Sequence, residues 1–464
     1  MDILMYIIAI LAVILVVYML IKKADIKITL FGIGIVLLYV AMLMKRGFDN
    51  NNILNPLQVI IDEFKNILPK AGFIILILGG YTAYMSAIGA NEVTVYALTK
   101  PLKGIKSEYI LVPVVFLLGN LLSLVIPSAS NLAIILLATL YPVLKKSGMS
   151  TLTAAAVIAT TATVMPTPLG GDNVAIAQEL SKYPEFAGLT TSEYVFRYHA
   201  IVSIPTLFVM AIVHYFWQKY QDKRDYAKGV KEVLGEVDTE KSIKIEGSLL
   251  YKTVYALLPI FPIILLLIFY IISLYNSKVS LSVEMAVIIS FIVALIVELI
   301  NKKNVRSVMN ETEKFFTGMG KSFGIVALLV AATVFVDGLT KIGIISSIQN
   351  AMQNMESTGI LLPLILVILT AVIVILSGSG TALFYAMVPL MYGLATAAGI
   401  SALAVTIPMG LAGNLLRAVS PVSAVVVIVA GATKQNPLAI VKRTAVPMIA
   451  GVIFMFILSM IFFL

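Results

Sequence analysis

The sequence predicts an all-α polytopic membrane protein: two inverted repeats, about ten crossing helices, two re-entrant helical hairpins and two interrupted helices. Three observations carry this. Sixty per cent of the 464 residues are hydrophobic and only 12% are charged, with a mean hydropathy of +1.01; a soluble domain carries about twice that charged fraction. Apolar stretches long enough to cross a bilayer recur from end to end. Short motifs also return at a nearly constant offset: Gly89 and Gly343 lie 254 residues apart, Gly148 and Gly399 251, Pro168 and Pro421 253.

Taken in order, 3–21 and 28–44 are the first spans. No small-residue cleavage site follows the first, so it reads as a retained helix rather than a signal peptide. A polar outer loop, 45–70, leads to the span 71–90. The uncharged run 109–144 is too long for one span and carries Ser128-Ala129-Ser130-Asn131 in its middle. It reads as a hairpin, about 109–146, turning inside the membrane, with Ser and Asn capping the returning limb. A turn at that depth must be buried in protein or line a water-filled cavity. Next, Pro166-Thr167-Pro168-Leu169-Gly170-Gly171-Asp172-Asn173 interrupts a helix at about 151–180. The span 198–217 closes the first copy, 1–217; His199, His214 and Trp217 near its ends read as an aromatic belt. A mixed-sign linker, 218–250, follows. The second copy, 251–464, has spans at 253–275 and 322–340. A hairpin at about 358–398 turns at Ser377-Gly378-Ser379-Gly380-Thr381, and a helix broken around Arg417 to Ser423 runs over about 401–431. The span 444–464 is last. Five crossings per copy, an odd number, force the two copies into opposite orientations.

Charge sets the topology and excludes several functions. With the Lys/Arg-rich linker in the cytoplasm, 24 Lys and Arg fall on that side and eight outside. The net charge of +9 is spread over short loops, which points to an orientation signal and to no nucleic-acid partner. Cysteine is absent, so disulfides and thiolate metal sites are excluded. No metal-ligand spacing or nucleophile triad appears, so the chain reads as no enzyme. Phe315 to Ser322 echoes a phosphate loop but lacks its first glycine and a preceding strand.

Arg417 is the only formally charged residue between Glu356 and Lys434. Arg at a helix centre costs about 2.5–3.5 kcal/mol on insertion scales, so such residues pair or face a watery cavity. Four interruptions meeting at one depth would aim helix N-termini, with their free N–H groups, at one place. Together they predict an anion site. Arg417 would take a carboxylate, and Ser128, Ser130, Asn131, Ser377, Ser379 and Thr381 would supply donors at the hairpin tips. Thr167, Gly170, Gly171, Asn173, Asn414, Ser420 and Ser423 would line the breaks. Asp172, the only charge between Lys146 and Glu179, is a helix cap, a permanent partner of Arg417 or, with Asn131, a holder of a coupling sodium ion or proton. No other cofactor is implied. An anion channel and a cation/proton antiporter through Asp172 are the readings from other classes.

Further stretches carry a family resemblance: Gly89-Ala90-Asn91 with Lys100-Pro101-Leu102, His214-Tyr215-Phe216-Trp217-Gln218, Thr406-Ile407-Pro408-Met409, Asn414-Leu415 with Arg417, Ser420-Pro421-Val422-Ser423, and Val441-Lys442-Arg443-Thr444. Over nearly its whole length the chain resembles the anaerobic C4-dicarboxylate carrier (DcuC-type) family, within the ion-transporter superfamily. The resemblance implies carriage of succinate, fumarate or malate across the bacterial inner membrane. It also implies a homodimer with a scaffold domain and an elevator-like transport domain. Sodium symporters of that superfamily use Ser-Asn-Thr at both tips. Here the first tip is Ser128-Ala129-Ser130-Asn131, and the second has Gly380 at the Asn position, which leaves proton symport and exchange open beside sodium.

Overall fold

The computed structural model describes residues 2–22, 24–48, 52–105, 107–126, 128–164, 166–228, 248–276, 279–343 and 359–464. The side chain of Thr381 and the 229–247 stretch of the linker lie outside the described residues.

Among the described residues regular structure is entirely helical. The first half comprises α1 (Asp2–Ile21), α2 (Ile26–Leu43), α3 (Asn55–Ile67), α4 (Phe73–Ala87), α5 (Ala90–Thr99), α6 (Glu108–Ser123), α7 (Ala129–Thr139), α8 (Tyr141–Lys146), α9 (Thr151–Ala159), α10 (Gly171–Leu180), the single turn α11 (Thr191–Glu193) and α12 (Ala200–Ala227). The second half comprises α13 (Leu249–Leu257), α14 (Phe261–Tyr275), α15 (Val283–Lys302), α16 (Val305–Ile342), α17 (Leu361–Ser377), α18 (Gly380–Ala397), α19 (Leu403–Leu415), α20 (Ala424–Thr433) and α21 (Pro437–Phe463). Eight helical stretches among the described residues are long and apolar enough to cross a membrane.

Starts are written in the sequence as caps. Asp25 accepts from the N–H of Lys27 at 2.9 Å, and Ser150, Ser248, Ser282 and Asn304 do the same for α9, α13, α15 and α16. Three elements differ from the sequence expectation. The 45–70 loop contains α3, whose Leu57, Ile60, Ile61 and Phe64 repeat at helical spacing; Phe64 stacks on Phe31 at 6.2 Å. The helix α15 was not among the clear spans. The span placed at 322–340 is the C-terminal half of the 38-residue α16, because the charges at its start solvate one helical face instead of ending the helix.

Burial is inverted relative to a soluble protein. Leu11 and Ile14 of α1 and Ile453, Ile457 and Ile461 of α21 point outward, while His214, Gln218, Glu298 and Arg443 are buried. A lipid-facing surface demands that arrangement. The histidines therefore form no aromatic belt: His214 Nε2 lies 3.2 Å from Thr160 Oγ1, and His199 Nδ1 lies 3.2 Å from Ser203 Oγ.

One side of the molecule is a slab of α2, α4 and α16. Its helices approach closely: a Cβ at Gly79 would stand 1.8 Å from Ser322 Oγ, so α4 and α16 touch at a place where only glycine fits. The other side packs α12, α19 and α9 around α21. Between them, α10 and α18 lie against α4 and α16, and the cleft of interest runs along that seam.

Candidate functional site

The two hairpins and two breaks are tied to one another by polar side chains. In the first hairpin α6 gives way to α7 across 124–128. Ser128, with extended backbone, caps α7 by accepting from Asn131 N–H at 3.4 Å. In the second, Gly378 ends α17 at φ +79°, a left-handed conformation that favours glycine. Ser377 Oγ there accepts from Ser379 N–H at 3.2 Å. A Cβ on Gly378 would meet Val422 O at 2.8 Å, and one on Gly380 would meet Gly413 O at 2.3 Å. The second tip is thus pressed backbone-to-backbone against the second break and α19, which is the physical reason that no side chain stands at Gly380.

The first break, between α9 and α10, is held by Asn120 of α6. Its Oδ1 accepts from Thr163 N–H at 3.0 Å and Val164 N–H at 3.1 Å, and its Nδ2 donates to Thr160 O at 3.1 Å. Thr167 donates its hydroxyl to Leu124 O at 3.1 Å, and Asn173 Nδ2 donates to Thr167 O at 3.0 Å. In the second break a 3-10 turn, Leu416–Val419, follows α19. Ser420 Oγ donates to Ile375 O at 2.8 Å, and Thr444 Oγ1 of α21 donates to Ala418 O at 2.6 Å.

Arg417 sits on that 3-10 turn and spans both breaks. Its Nη2 donates to Ala162 O at 3.1 Å, and its Nε lies 3.5 Å from Asn414 O. Among the described residues no carboxylate stands within ion-pair distance of it. Asp172 is engaged elsewhere: Oδ1 accepts from Asn173 N–H at 3.0 Å in the first turn of α10, and Oδ2 accepts from Asn414 Nδ2 at 3.0 Å. Asn414 holds the acid, and the guanidinium makes no ion pair among the described residues. The permanent Arg417–Asp172 pair considered from sequence is not what the geometry shows.

These groups face a cavity of about 790 Å³. Of the residues named from sequence, Ser128, Asn131, Gly170, Gly171, Asp172, Asn414 and Arg417 line it. Ser130, Ser377 and Ser379 are half-buried outside the lining. Thr167, Asn173, Ser420 and Ser423 are buried behind it. The first three of those four tie the breaks together, and the Ser423 hydroxyl has no hydrogen-bond partner among the described residues.

Sequence reasoning missed the opposite wall. Lys314, Thr317, Gly318, Lys321, Ser322 and Ile325 of α16 line the cavity. Their spacing of i, i+3, i+4, i+7, i+8 and i+11 is one helical stripe. The stripe is visible in the sequence as helical spacing of Lys, Thr, Gly and Ser just before and into the expected span 322–340. Neither lysine has an ion-pair partner among the described residues. Tyr385 and Phe384 of α18 complete the lining, with the Tyr385 hydroxyl packed against Gly171. Formal charges in the lining are Lys314, Lys321 and Arg417 against Asp172, a net +2. A second cavity, about 600 Å³, lies farther along the same seam and includes Glu63, Glu179, Lys182, Tyr392 and Asp337. Asp337, near the C-terminal end of α16, lines this cavity.

Membrane-crossing helices with discontinuities gathered around a charged cavity define a multi-pass membrane transporter. Comparison with known proteins narrows the class. The chain belongs to the C4-dicarboxylate anaerobic carrier family, DcuC, which it matches over residues 4–464. It is 37% identical over 385 residues to the anaerobic C4-dicarboxylate transporter DcuC of Escherichia coli K12, covering 82% of this chain and 78% of that one. It is also 37% identical over 398 residues to the probable anaerobic C4-dicarboxylate transporter DcuC of Vibrio cholerae, covering 84% and 81%. Two solved structures share the fold. The YdaH transporter of Alcanivorax borkumensis has a TM-score of 0.69 at 13% identity, over 94% of this chain and 97% of that one. Neisseria gonorrhoeae MtrF has a TM-score of 0.67 at 15% identity, over 93% and 94%. The protein is a transporter of the bacterial inner membrane, not an enzyme.

Proposed function

We propose that the protein is a secondary carrier of C4-dicarboxylates such as succinate, fumarate and malate. The observation that carries this is the cavity between the breaks, with a net formal charge of +2 and a guanidinium without a carboxylate partner among the described residues. A dianion of two carboxylates matches that charge, and a guanidinium fork matches one carboxylate plane. Arg417 binds one carboxylate; Ser128, Asn131, Tyr385 and the N–H groups opening α10 contribute donors.

In this reading the hairpin-and-break unit moves against the α2–α4–α16 slab in an elevator-type exchange of access, within a homodimer. The two halves are inverted copies. Equivalent contacts at the sequence offset support that. Thr167 donates to Leu124 O as Ser420 donates to Ile375 O, offsets of 253 (420 − 167) and 251 (375 − 124). The paired glycines Gly89 and Gly343, and Gly148 and Gly399, all have left-handed backbone. Asp172 and Asn131 are the groups through which a sodium ion or proton would couple; pure exchange needs neither.

The test is succinate counterflow in reconstituted vesicles. Arg417→Ala abolishes it while folded protein persists in the membrane, and Arg417→Lys retains a weak residue of it, because Lys keeps the charge without the fork. Undiminished counterflow in Arg417→Ala refutes the assignment. The same vesicles, offered citrate, or a sodium or pH gradient alone, separate the rival readings of another organic-anion carrier and of an antiporter working through Asp172.

A further inference from the structure

The seam between the slab and the moving unit holds two cavities of opposite charge. Both are walled by α10, α16 and α18; α4 completes the first, and α3 with the turn before α4 the second. The first carries a net formal +2. In the second, Glu63, Glu179 and Asp337 outnumber Lys70 and Lys182, and Lys182 is spent on Glu179 at 2.6 Å. The net there is −1. Ser322 lines the first cavity and Thr333 the second; eleven residues of α16 at about 1.5 Å each put about 16 Å between them. That exceeds the Debye length of about 8 Å at physiological salt, so each mouth feels mainly its own charges.

We infer that the cleft is electrostatically rectified: a dianion has a higher apparent affinity from the Lys314/Lys321 side than from the Glu63/Asp337 side. The inference rests on the dicarboxylate reading above. Low-dielectric walls focus the field of a charged cleft and raise the local concentration of a ligand of opposite sign. The Lys314 and Lys321 ammonium groups have no acidic partner among the described residues to cancel that field. The unpaired excess of acid in the other cavity lowers dianion concentration at its mouth. Both lysines lie on the side that the distribution of basic residues makes cytoplasmic. The carrier therefore saturates at lower dicarboxylate concentration inside than outside. For uncoupled transport, microscopic reversibility keeps Vmax/KM equal in the two directions. The lower KM then comes with a proportionally lower Vmax in the outward direction, so the device buffers export against rising internal substrate.

The test compares half-saturation for labelled succinate counterflow in right-side-out and inverted membrane vesicles containing the full chain. At physiological ionic strength the value from the lysine side is about three- to tenfold lower, and the ratio falls toward one in about 0.5 M inert salt. Lys314→Gln with Lys321→Gln raises half-saturation on that side alone; both positions are exposed, so folding is not at stake. Glu63→Gln with Asp337→Asn lowers it on the other side alone. Equal values from both sides, a reversed ratio, or an asymmetry that survives the charge substitutions overturns the rectification while leaving the dicarboxylate reading intact. Absence of succinate counterflow from both sides overturns that reading and the rectification with it.

Discussion

At the scale of single residues, two kinds of polar group coexist at the site, and they differ in whether they face the cavity. Arg417 and Asp172 face it; Asn120, Thr167 and Ser420 build its walls. Asn120 is the clearest case of the second kind, a buried amide that satisfies two backbone N–H groups of a segment with no helical partners. Truncation leaves those donors buried and unmet, at about 1–3 kcal/mol for each. Asn120→Ala is therefore expected to lower the thermal unfolding midpoint of the purified protein in detergent, and succinate is expected to restore part of it, since a ligand stabilises the state that binds it. An unchanged midpoint would show that the break is held by packing instead. Arg417 was legible in the sequence because a lone charge in an apolar run demands a use. Asn120 was not, because its partners lie about 40 residues away and nothing local marks an amide as a brace.

At the scale of elements, polar interruptions are easier to see in the sequence than a charged helix face. Uncharged runs interrupted by Ser, Gly and Pro mark the places where α6 gives way to α7 and α17 to α18. The wall opposite them is hidden in the sequence because Lys314 and Lys321 look like loop charges, although their spacing is that of a helix face. Charge marks the end of a span only when the helix also leaves the protein; α16 continues for several turns beside a cleft lined by charged and polar side chains. The second hairpin yields a prediction at this scale. Gly380 and Gly413 touch, but asymmetrically: a Cβ on Gly380 meets Gly413 O at 2.3 Å, whereas one on Gly413 has nothing nearer than Gly380 Cα at 3.7 Å. Gly380→Ala is expected to abolish counterflow by lifting the tip off α19, and Gly413→Ala to retain at least about half of it, since added volume is costly only where the packed neighbours have no room to yield. Equal loss in both variants would mean that the contact is not the determinant.

For the whole molecule, the disposition of the two cavities makes a claim about motion. Thr317 and Thr333 lie on the same helix and line different cavities. Sixteen residues separate them, about 24 Å along α16. On the elevator reading proposed above, sliding of the α10–α18 face along α16 closes one cavity as it opens the other, because packed interfaces switch between discrete arrangements rather than deforming smoothly. The chain has no native cysteine, so a single engineered thiol reports its own position without background. Thr317→Cys and Thr333→Cys, each labelled with a hydrophilic maleimide in open membrane fragments, are expected to change labelling rate by about threefold or more, in opposite senses, when saturating succinate is added; substrate shifts the two populations by its differential affinity for them. With Arg417→Ala in the background both changes disappear, since the ligand no longer distinguishes the states. Parallel changes at the two positions would indicate that the cavities open together, as in a channel, and the carrier mechanism would have to be given up even if succinate binds.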